Sequence, residues 1–369
     1  MPPTVGVIGG GQLARMMIPA AVNLGIDLRV LAENEGESAS IAVSQLGDYR
    51  NADDVLRFSK DVDVVTFDHE HVPQEVLAAL VAAGVAVRPG PHALLYAQDK
   101  LLMRERLDAL GLPVPYWARV ATAAELDAFL SDHGGAGVLK TPTGGYDGKG
   151  VRVVRSAAEA AEWLGNGDLL VEELVSFRRE LAQLVARRPS GDIATWSLVE
   201  SVQRDGVCAE VIAPAPNATG KIAEVARDIA HTVAESLDVV GVLAVELFET
   251  TDERLLINEL AMRPHNTGHW SMDGAVTGQF EQHLRAVLDL PLGSTAQREP
   301  WSVMVNVLGG PVEGSLADRY PAMMSAQPGV KVHNYGKDPR PGRKVGHVTA
   351  SGEDLDDVAY RARAAAAHF

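Results

Sequence analysis

The sequence predicts an α/β protein of more than one domain, with an α+β lid built from antiparallel strands. Strands and helices alternate over residues 4–88, which is typical of a parallel sheet. A glycine-rich loop at residues 141–150 lies between two short apolar strands. Apolar segments at residues 241–248 and 254–260 flank a short polar turn, which indicates a hairpin.

The N-terminal part of the chain has the pattern strand, turn, helix. Thr4–Ile8 is apolar, three glycines follow, and a helical period then runs to Gly25. A helix is also expected from Pro73 to residue 83. Further strands are expected at residues 27–31, 62–67 and 85–88. A single helix at residues 92–110 should connect this part to the rest, with a domain boundary near residue 98.

The elements that follow are expected to be mostly antiparallel. Strands at residues 169–172 and 181–186 should share one sheet with the two strands that flank the glycine-rich loop. Asn217 is a candidate cap for a helix that ends at residue 237. The C-terminal part should hold strands at residues 302–308, 331–335 and 344–349 and a helix from about residue 353.

Composition limits the classes of protein that the chain can belong to. Its 369 residues fit two or three domains. A net charge of -16 argues against non-specific nucleic-acid binding, because a polyanion would be repelled. The single cysteine, Cys208, excludes an internal disulfide and indicates a reducing compartment, so we expect a cytoplasmic protein. No run reaches the roughly 18 apolar residues of a membrane helix, so no membrane partner is expected.

The glycine turn after the first strand fits a dinucleotide-binding fingerprint. Residues 9–14 match the pattern G-x-G-x-x-A, and Glu33 stands near the end of the next strand, where a ribose-binding acid would be. The physical basis of the pattern is less specific, because any phosphate can bind the free N–H groups at a helix N-terminus. A dinucleotide, another phosphate and no ligand all remain open.

The loop at residues 144–150 has four glycines, and it is flanked by cations. Its backbone N–H groups could lie over phosphates, while Lys140 and Lys149 neutralise their charge. An ordinary glycine-rich turn is the alternative, and it leaves the two lysines unexplained. Further along, Glu172, Glu173, Leu174 and Val175 follow an apolar strand and could border an adenine, with Glu180 near the ribose. Solvated surface acids are the alternative there.

The hairpin predicts a pair of opposed carboxylates. If Thr250 pairs with Leu255, then residue 248 meets residue 257 and Glu246 meets Glu259, because antiparallel partners keep a constant index sum. Like charges that face each other on an apolar sheet are destabilising unless a divalent cation lies between them. Magnesium fits this geometry, with Asn258 beside it. A register in which one Glu points to solvent is the alternative.

Two polar clusters follow the hairpin. The run at residues 263–270 contains Arg263, His265 and Asn266, which together can hold a small planar oxyanion. An unspecialised polar loop is the alternative. Near the C-terminus Arg340, Arg343 and Lys344 concentrate cations in an acidic protein, which indicates a phosphate site.

In their order and combination these motifs resemble the N5-carboxyaminoimidazole ribonucleotide synthetase family of the ATP-grasp superfamily. The resemblance extends from the glycine turn to the cluster at residues 340–347. It implies an ATP-grasp fold with three domains. They are a Rossmann-like N-terminal domain without NAD at residues 1–98, an ATP-grasp domain at 99–290 with a mobile lid at about 115–186, and a small C-terminal domain at 291–369.

The resemblance also implies the reaction. ATP phosphorylates bicarbonate to carboxyphosphate, and the amine of 5-aminoimidazole ribonucleotide then captures the carboxyl group. ADP, phosphate and N5-carboxyaminoimidazole ribonucleotide are the products. The implied cofactors are ATP and Mg2+. A homodimer is expected, and a hand-off of the product to the N5-carboxyaminoimidazole ribonucleotide mutase stays open.

Roles for individual residues are carried over by the same resemblance. Contacts with ATP are implied for Lys100, Lys140, Gly144, Gly145, Tyr146, Asp147, Gly148, Lys149, Gly150, Glu172, Glu173, Leu174, Val175, Glu180, Gln203, Asn258 and Glu259. The implied magnesium ligands are Glu246 and Glu259. Bicarbonate and its phosphorylated form would be held by Arg263, His265, Asn266 and Lys344. The ribonucleotide would be held by Gln12, Glu70, Tyr146, Asp147, Lys149, Arg340, Arg343 and Lys344.

Two positions depart from the family pattern, and three other functions stay open. Gln203 stands where the family is expected to have a histidine, and Asp68 stands where a glutamate is more usual. The closest alternative function is a formate-dependent ATP-grasp glycinamide ribonucleotide transformylase. A nicotinamide dehydrogenase would use the glycine turn but leave the lid and the paired carboxylates unexplained. A non-catalytic nucleotide sensor would bind ATP without turnover.

Overall fold

The N-terminal strands form a parallel sheet in a computed structural model that describes residues 2–145, 150–204 and 206–369. The elements in chain order are β1 Thr4–Ile8, α1 Gln12–Leu24, β2 Asp27–Ala32, β3 Val43–Leu46, α2 Ala52–Ser59, β4 Val64–Phe67, α3 Gln74–Ala82 and α4 Pro91–Gln98. The strand order is β3-β2-β1-β4, and β1 and β4 are almost wholly buried, as expected for strands covered by helices. Strand β3 and helix α2 were missed by the sequence prediction.

The helix predicted at residues 92–110 is two helices. After α4 the chain turns extended at Asp99, and α5 then spans Lys100–Ala109. The Asp99 carboxylate accepts hydrogen bonds from the backbone N–H groups of Leu101 at 2.9 Å and Leu102 at 3.0 Å. A capping aspartate favours a new helix start over continuation of the old helix. The break makes Lys100 the first residue of α5, where its side chain is buried.

An antiparallel sheet holds the strands on either side of the glycine-rich loop, as predicted. The elements are β5 Trp117–Val120, α6 Ala123–Asp132, β6 Gly137–Lys140, β7 Val151–Val154 and β8 Leu169–Glu173. The strand order is β5-β8-β6-β7, and the core includes Leu126 and Phe129 of the covering helix α6. We call this sheet and its helix the lid sheet. Tyr146, Asp147, Gly148 and Lys149 lie outside the described residues.

A larger sheet, antiparallel in every pair of its strands among the described residues, contains the remaining strands. Its order is β14-β13-β9-β11-β12-β15-β17-β16, with β10 paired to β9. The strands are β9 Phe177–Arg187, β10 Ile193–Thr195, β11 Val199–Arg204, β12 Val207–Ala213, β13 Gly241–Thr250, β14 Leu255–Ala261, β15 Trp301–Leu308, β16 Lys331–Asn334 and β17 Lys344–Gly352. The helices are α7 Gly220–Ser236, α8 Ser271–Gly274, α9 Gln279–Val287, α10 Tyr320–Ala326 and α11 Leu355–Ala366. The predicted hairpin and the predicted C-terminal strands are all present.

Three smaller expectations were wrong. The strand predicted at residues 181–186 lies within β9, so it belongs to the large sheet and not to the lid sheet. Residues 85–88 make only an isolated bridge between Val65 and Val87, not a strand. Asn217 has a φ of 55°, and Thr219 caps α7 by accepting from the Ile222 N–H. Every helix within the described residues is too short or too polar to span a lipid bilayer.

The cap at Asp99 gives the first testable prediction. Replacing Asp99 with alanine removes the acceptor for two N–H groups of α5 and should cost about 1 kcal/mol of stability. Thermal denaturation followed by circular dichroism measures the effect. Asp108→Ala, an exposed change near the other end of the same helix, is the control. Equal melting temperatures for the two variants would contradict the capping role.

Candidate active site

A cleft of about 900 Å³ lies between the lid sheet and the large sheet. Strands β6 and β8 of the lid sheet border it on one side and β13 and β14 on the other, while segments after β4 and at the start of β17 complete its walls. Predicted ligand-binding residues that line it are Glu70, Lys100, Lys140, Gly144, Gly145, Glu172, Glu173, Leu174, Val175, Glu180, Gln203, Glu246, Asn258, Glu259, Arg263, His265, Asn266 and Lys344. Residues that are far apart in the sequence therefore meet at one site.

Two carboxylates face each other across β13 and β14. Glu246 pairs directly with Glu259 in the strand register, as predicted. Burial, the charge of Glu259 and the charge of Glu180 raise the pKa of Glu246 to about 8, although Lys344 and Arg263 act in the opposite direction. A buried carboxyl group beside a second carboxylate is costly to ionise unless a cation joins them.

A β-bulge at Asn258 changes the pairing on either side of this position. Ile257 pairs with Leu247, one residue away from its predicted partner Phe248, and the register shifts before Glu259. Asn258 is therefore an extra residue on β14, and both it and Glu259 line the cleft. In a regular strand, neighbouring side chains would point to opposite faces. The bulge brings a carboxylate and an amide to the same side.

Cations lie beside these groups. The Lys100 ammonium is 3.0 Å from Glu259 Oε1, and the Lys140 ammonium is 3.4 Å from Asn258 Oδ1. Lys140 also forms an ion pair with Glu172 Oε2 at 2.7 Å. Both lysines are almost completely buried, one from the lid sheet and one from α5. Two positive charges thus converge near the carboxylate pair, as a phosphate site requires.

Glu172 does not offer its side chain to the cleft as a free group. Its carboxylate is buried and binds both Lys140 and Arg104. Burial alone would raise the pKa of Glu172, but the charges of Lys140 and Arg104 outweigh burial and lower it. The carboxylate of Glu173 accepts from the Tyr116 N–H at 2.9 Å. The backbone around Leu174, rather than either carboxylate, is left to border a ligand.

An aromatic pair forms an apolar wall that the sequence reasoning missed. Phe177 and Phe248 line the cleft with ring centroids 4.7 Å apart and an interplanar angle of 20°. They stand at neighbouring positions of β9 and β13, which a known strand pairing would have revealed. Close by, burial raises the pKa of Glu180, and a hydrogen bond with the Gln203 side chain partly offsets this. The two polar residues adjoin the apolar wall.

Arg263 is held in place by a residue from the N-terminal part of the chain. Its Nε donates to Glu70 Oε2 at 2.9 Å, and the Met262 N–H donates to Glu70 Oε1 at 2.6 Å. Burial would lower the pKa of Arg263, but the carboxylates of Glu70 and Asp68 raise it above its ordinary value. The guanidinium is therefore a permanent positive charge on the wall of the cleft.

His265 and Asn266 extend this wall as neutral groups. Burial, helped by the charges of Arg263 and Lys344, lowers the pKa of His265 well below its ordinary value. Its Nδ1 lies 2.8 Å from Thr267 Oγ1, and its Nε2 is 3.3 Å from Glu246 Oε1. Among the described residues, Asn266 Nδ2 and Oδ1 are buried without a hydrogen-bond partner. Such an amide is available to a polar ligand.

The glycine turn at residues 9–11 is filled by a side chain. Asp68 Oδ1 accepts from the Ala14 N–H at 2.7 Å, at the N-terminus of α1. A Cβ on Gly11 would lie 2.1 Å from Asp68 Oδ2, so Gly11 makes room for this carboxylate. Glu33, the candidate ribose-binding acid, pairs with Arg50 at 2.7 Å. The Ala14 N–H and the Glu33 carboxylate, which a dinucleotide would need, therefore already have partners within the protein.

Some predicted ligand-binding residues lie away from the cleft. Of the described residues, Gln12, Gly150, Arg340 and Arg343 do not line it. Gln12 Oε1 accepts from the Lys337 ammonium at 2.7 Å, and Arg343 Nη1 donates to Asp338 O at 3.1 Å. Gly150 is needed because a Cβ there would lie 2.4 Å from Thr141 Oγ1. The roles proposed for these residues in ligand binding remain predictions.

Family comparisons match the chain along nearly its whole length. Residues 2–98 match the ribonucleotide synthetase preATP-grasp domain, residues 105–280 match the ATP-grasp domain, and residues 302–361 match the phosphoribosylaminoimidazole carboxylase C-terminal domain. The N5-carboxyaminoimidazole ribonucleotide synthase of Mycobacterium bovis is 50% identical over 99% of this chain and 87% of its own length. That of Corynebacterium ammoniagenes is 48% identical over 99% of this chain and 91% of its own.

The chain belongs to the N5-carboxyaminoimidazole ribonucleotide synthase family. A solved structure agrees with this membership. The N5-carboxyaminoimidazole synthase of Aspergillus clavatus, crystallised with ADP and 5-aminoimidazole ribonucleotide, superimposes with a TM-score of 0.89. It is 31% identical, and the match covers 100% of this chain and 98% of that one. The predicted ATP-grasp fold is confirmed.

Membership of the N5-carboxyaminoimidazole ribonucleotide synthase family decides between the alternatives that the sequence left open. The chain is an ATP-grasp ligase, and the activity of the family is the ATP-dependent carboxylation of 5-aminoimidazole ribonucleotide. The formate-dependent transformylase interpretation is therefore wrong. The dehydrogenase interpretation is also wrong, since Asp68 occupies the N-terminus of α1.

The raised pKa of Glu246 predicts a pH-dependent stability without ligands. The pKa rises from an ordinary 4.5 to about 8 in the folded protein, so folding takes up a proton between these values. Stability should therefore fall as the pH rises from about 5 to about 8. Glu246→Gln lacks this group, so its melting temperature should exceed that of the parent protein by a margin that grows over the same interval.

Thermal melts in EDTA, without nucleotide, measure this margin at several pH values. Glu235→Gln, an exposed change on α7, is the control and should follow the parent protein at every pH. A margin that does not change with pH would show that the opposition of the two carboxylates has little effect on folding.

Proposed function

We propose that this chain carboxylates 5-aminoimidazole ribonucleotide with bicarbonate, using ATP with magnesium and passing through carboxyphosphate. The observation that carries the proposal is the composition of one cleft. It joins the opposed carboxylates Glu246 and Glu259 to buried lysines on one side and to the group of Arg263, His265, Asn266 and Lys344 on the other. Phosphoryl transfer and capture of a small oxyanion need these two sets of groups side by side.

The nucleotide would lie between the lid sheet and the large sheet. Phe177 and Phe248 offer an apolar surface for the adenine, and the backbone near Leu174 offers polar atoms for its edge. Glu180, with Gln203 beside it, is the candidate partner for the ribose hydroxyls. Gln203 keeps a donor and an acceptor where the family pattern leads us to expect a histidine. Lys100 and Lys140 would neutralise the phosphates.

The residues present fit a magnesium ion that is shared with the nucleotide. Among the described residues, no group of three or more acidic, histidine or cysteine side chains is placed to hold a metal. Glu246 and Glu259 supply two oxygen ligands, so the remaining ligands would be phosphate oxygens and water, which magnesium favours. The bound ion would neutralise charge on the transferring phosphoryl group. Asn258 would add a polar contact from the bulge.

The oxyanion end of the cleft would orient bicarbonate. An oxygen of bicarbonate attacks the γ-phosphorus, and the bond to the β-phosphate oxygen breaks to release ADP. Arg263, held by Glu70, and Lys344 would hold the anionic oxygens, while the unsatisfied amide of Asn266 would orient them. The neutral His265 can form a hydrogen bond with the anion without repelling the neighbouring cations.

The second step would transfer the carboxyl group. The substrate amine attacks the carboxyl carbon, the bond from carbon to the phosphate oxygen breaks, and the released phosphate accepts the amine proton. Gln12 with Lys337, together with Arg340, Arg343 and Lys344, would hold the ribonucleotide. Lys337 was not singled out from the sequence. Tyr146, Asp147 and Lys149 keep their predicted roles but lie outside the described residues.

The cellular setting is part of the proposal. A buried, unpaired Cys208 in an enzyme of this family is consistent with the reducing cytoplasm. We further propose a homodimer and a hand-off of the product to the N5-carboxyaminoimidazole ribonucleotide mutase. Sedimentation velocity with and without the mutase would test both, and a monomer without interaction would contradict them.

Isotope transfer is the sharpest test of the reaction. With bicarbonate labelled at every oxygen with oxygen-18, one labelled oxygen should appear in each phosphate released, because that oxygen bridges carbon and phosphorus in carboxyphosphate. The assay also measures product with and without each substrate. If the phosphate carries no label while product still forms, bicarbonate is not phosphorylated and the proposed route is wrong.

Glu259→Gln should abolish turnover while the protein stays folded. Loss of one hard ligand weakens charge neutralisation in the transition state, and a loss of several kcal/mol corresponds to a rate reduced about 100-fold or more. Steady-state kinetics at saturating magnesium measure this. Glu253→Gln, in the exposed turn of the same hairpin, is the matched control and should behave like the parent protein. Near-normal activity of Glu259→Gln would remove the metal role.

Lys344→Ala should raise the KM for bicarbonate or for the ribonucleotide about tenfold or more, and the KM for ATP far less. In a chain of net charge -16 a phosphorylated substrate meets long-range repulsion, and Lys344 supplies a local attraction. Each of the three substrates is varied in turn. Lys331→Ala, an exposed lysine at the start of the neighbouring strand β16, is the control. A defect confined to ATP would place Lys344 at the nucleotide instead.

A further inference from the structure

Arg104 is a completely buried arginine that no sequence motif singled out. It lies on α5, one helical turn after Lys100, and it does not appear among the described residues that line the cleft. Its guanidinium donates to two backbone carbonyls of β14, Ile257 O at 2.7 Å and Asn258 O at 2.9 Å. It also donates to the carboxylate of Glu172. Its terminal nitrogens thus contact β14 and Glu172, which belong to the two sides of the cleft.

The two carbonyls that Arg104 binds belong to consecutive residues. In a regular strand, consecutive carbonyls point to opposite edges, so one guanidinium cannot reach both. Here both point to the outer edge of β14, since the bulge turns Asn258 away from β13. The planar, forked donor of arginine matches this pair of acceptors. The guanidinium thus holds the bulge in place at the residue before Glu259.

The same side chain reaches the phosphate lysine through one intermediate. Arg104 pairs with Glu172, and Glu172 Oε2 binds the Lys140 ammonium at 2.7 Å. Lys140 in turn lies 3.4 Å from Asn258 Oδ1, so the chain of contacts returns to the bulge. These contacts form a closed ring that links the lid sheet to β14. Its members are Arg104, Glu172, Lys140 and Asn258. A shift of Arg104 would move both the carboxylate Glu259 and the ammonium of Lys140.

We propose that Arg104 is a positioning residue for the metal and phosphate site. It fixes the bulge that turns Glu259 toward Glu246, and it sets Lys140 through Glu172. The inference rests on the proposed magnesium role of Glu246 and Glu259. A fully buried charge is costly, and an apolar replacement would serve packing alone equally well. Among the described residues, Arg104 Nε has no hydrogen-bond partner. The hydrogen bonds of the side chain therefore come from its two terminal nitrogens, Nη1 and Nη2.

The test uses two variants and measures binding without turnover. Arg104→Met removes the guanidinium, and Arg104→Lys keeps the charge but offers one ammonium to two carbonyls. Isothermal titration calorimetry gives the affinity for ADP with Mn2+ or Mg2+ and again in EDTA. Both variants should bind ADP about 10- to 100-fold more weakly when the metal is present, the usual loss when a group that supports a metal ligand is removed. In EDTA the loss should be smaller.

Controls separate this inference from a folding defect and from the proposed function. Arg106→Ala removes a more exposed arginine from the same helix and should leave the metal-dependent affinity unchanged. Circular dichroism and thermal melts of the metal-free protein identify a variant that fails to fold, in which case Arg104→Lys carries the test. Kinetics should show a raised magnesium requirement, with the KM for the ribonucleotide nearly unchanged.

Each outcome has a definite meaning. If Arg104→Lys binds metal and ADP like the parent protein, charge suffices and the positioning role of the fork is wrong. If the affinity in EDTA falls as much as the affinity with metal, Arg104 acts on the phosphates through Lys140 alone, and its role in placing the metal ligand Glu259 is wrong. If Glu259→Gln leaves the metal dependence intact, the metal role proposed for that carboxylate fails independently of Arg104.

Discussion

Two carboxylates in register on neighbouring strands are the constraint on which the rest of the site depends. Glu246 and Glu259 face each other from strands that are otherwise largely apolar. Their repulsion has to be offset, and cationic and neutral groups lie beside them, although Glu180 adds a further negative charge. Lys100 pairs with Glu259, the charges of Lys344 and Arg263 partly oppose the rise in the pKa of Glu246, and His265 stays uncharged. A divalent cation bound between the two carboxylates would relieve this repulsion.

The strand and helix pattern made much of this arrangement predictable. The hairpin, the strands beside the glycine-rich loop and the opposition of Glu246 to Glu259 all follow from periodicity and from the index rule for antiparallel partners. The pairing of Phe248 was wrong because a bulge interrupts the register at Asn258. Periodicity cannot locate that bulge, since Arg104, which binds it, is 154 residues away in the chain.

Other failures have the same origin in distant contacts. The glycine turn has the local sequence of a dinucleotide site, yet Asp68 fills its helix N-terminus from a position 54 residues beyond Ala14. Phe177 and Phe248 form one apolar wall only because β9 pairs with β13. The break between α4 and α5 is different, because an aspartate cap before Lys100 is a local signal that could have been read directly. The cations at 340 and 343 lie in an irregular segment, whose path periodicity does not predict.

The large sheet brings side chains from two distant strands to the same cleft. Five strand-to-strand steps separate β13, which bears Glu246, from β17, which bears Lys344. In a flat sheet five steps would span about 24 Å. Both side chains nevertheless line one cleft, and the charge of Lys344 acts on Glu246. The sheet is therefore curled, with its ends drawn toward each other. Hydrogen bonds fix the spacing of the strands along the sheet, so its curvature alone sets the distance between Glu246 and Lys344 across the cleft.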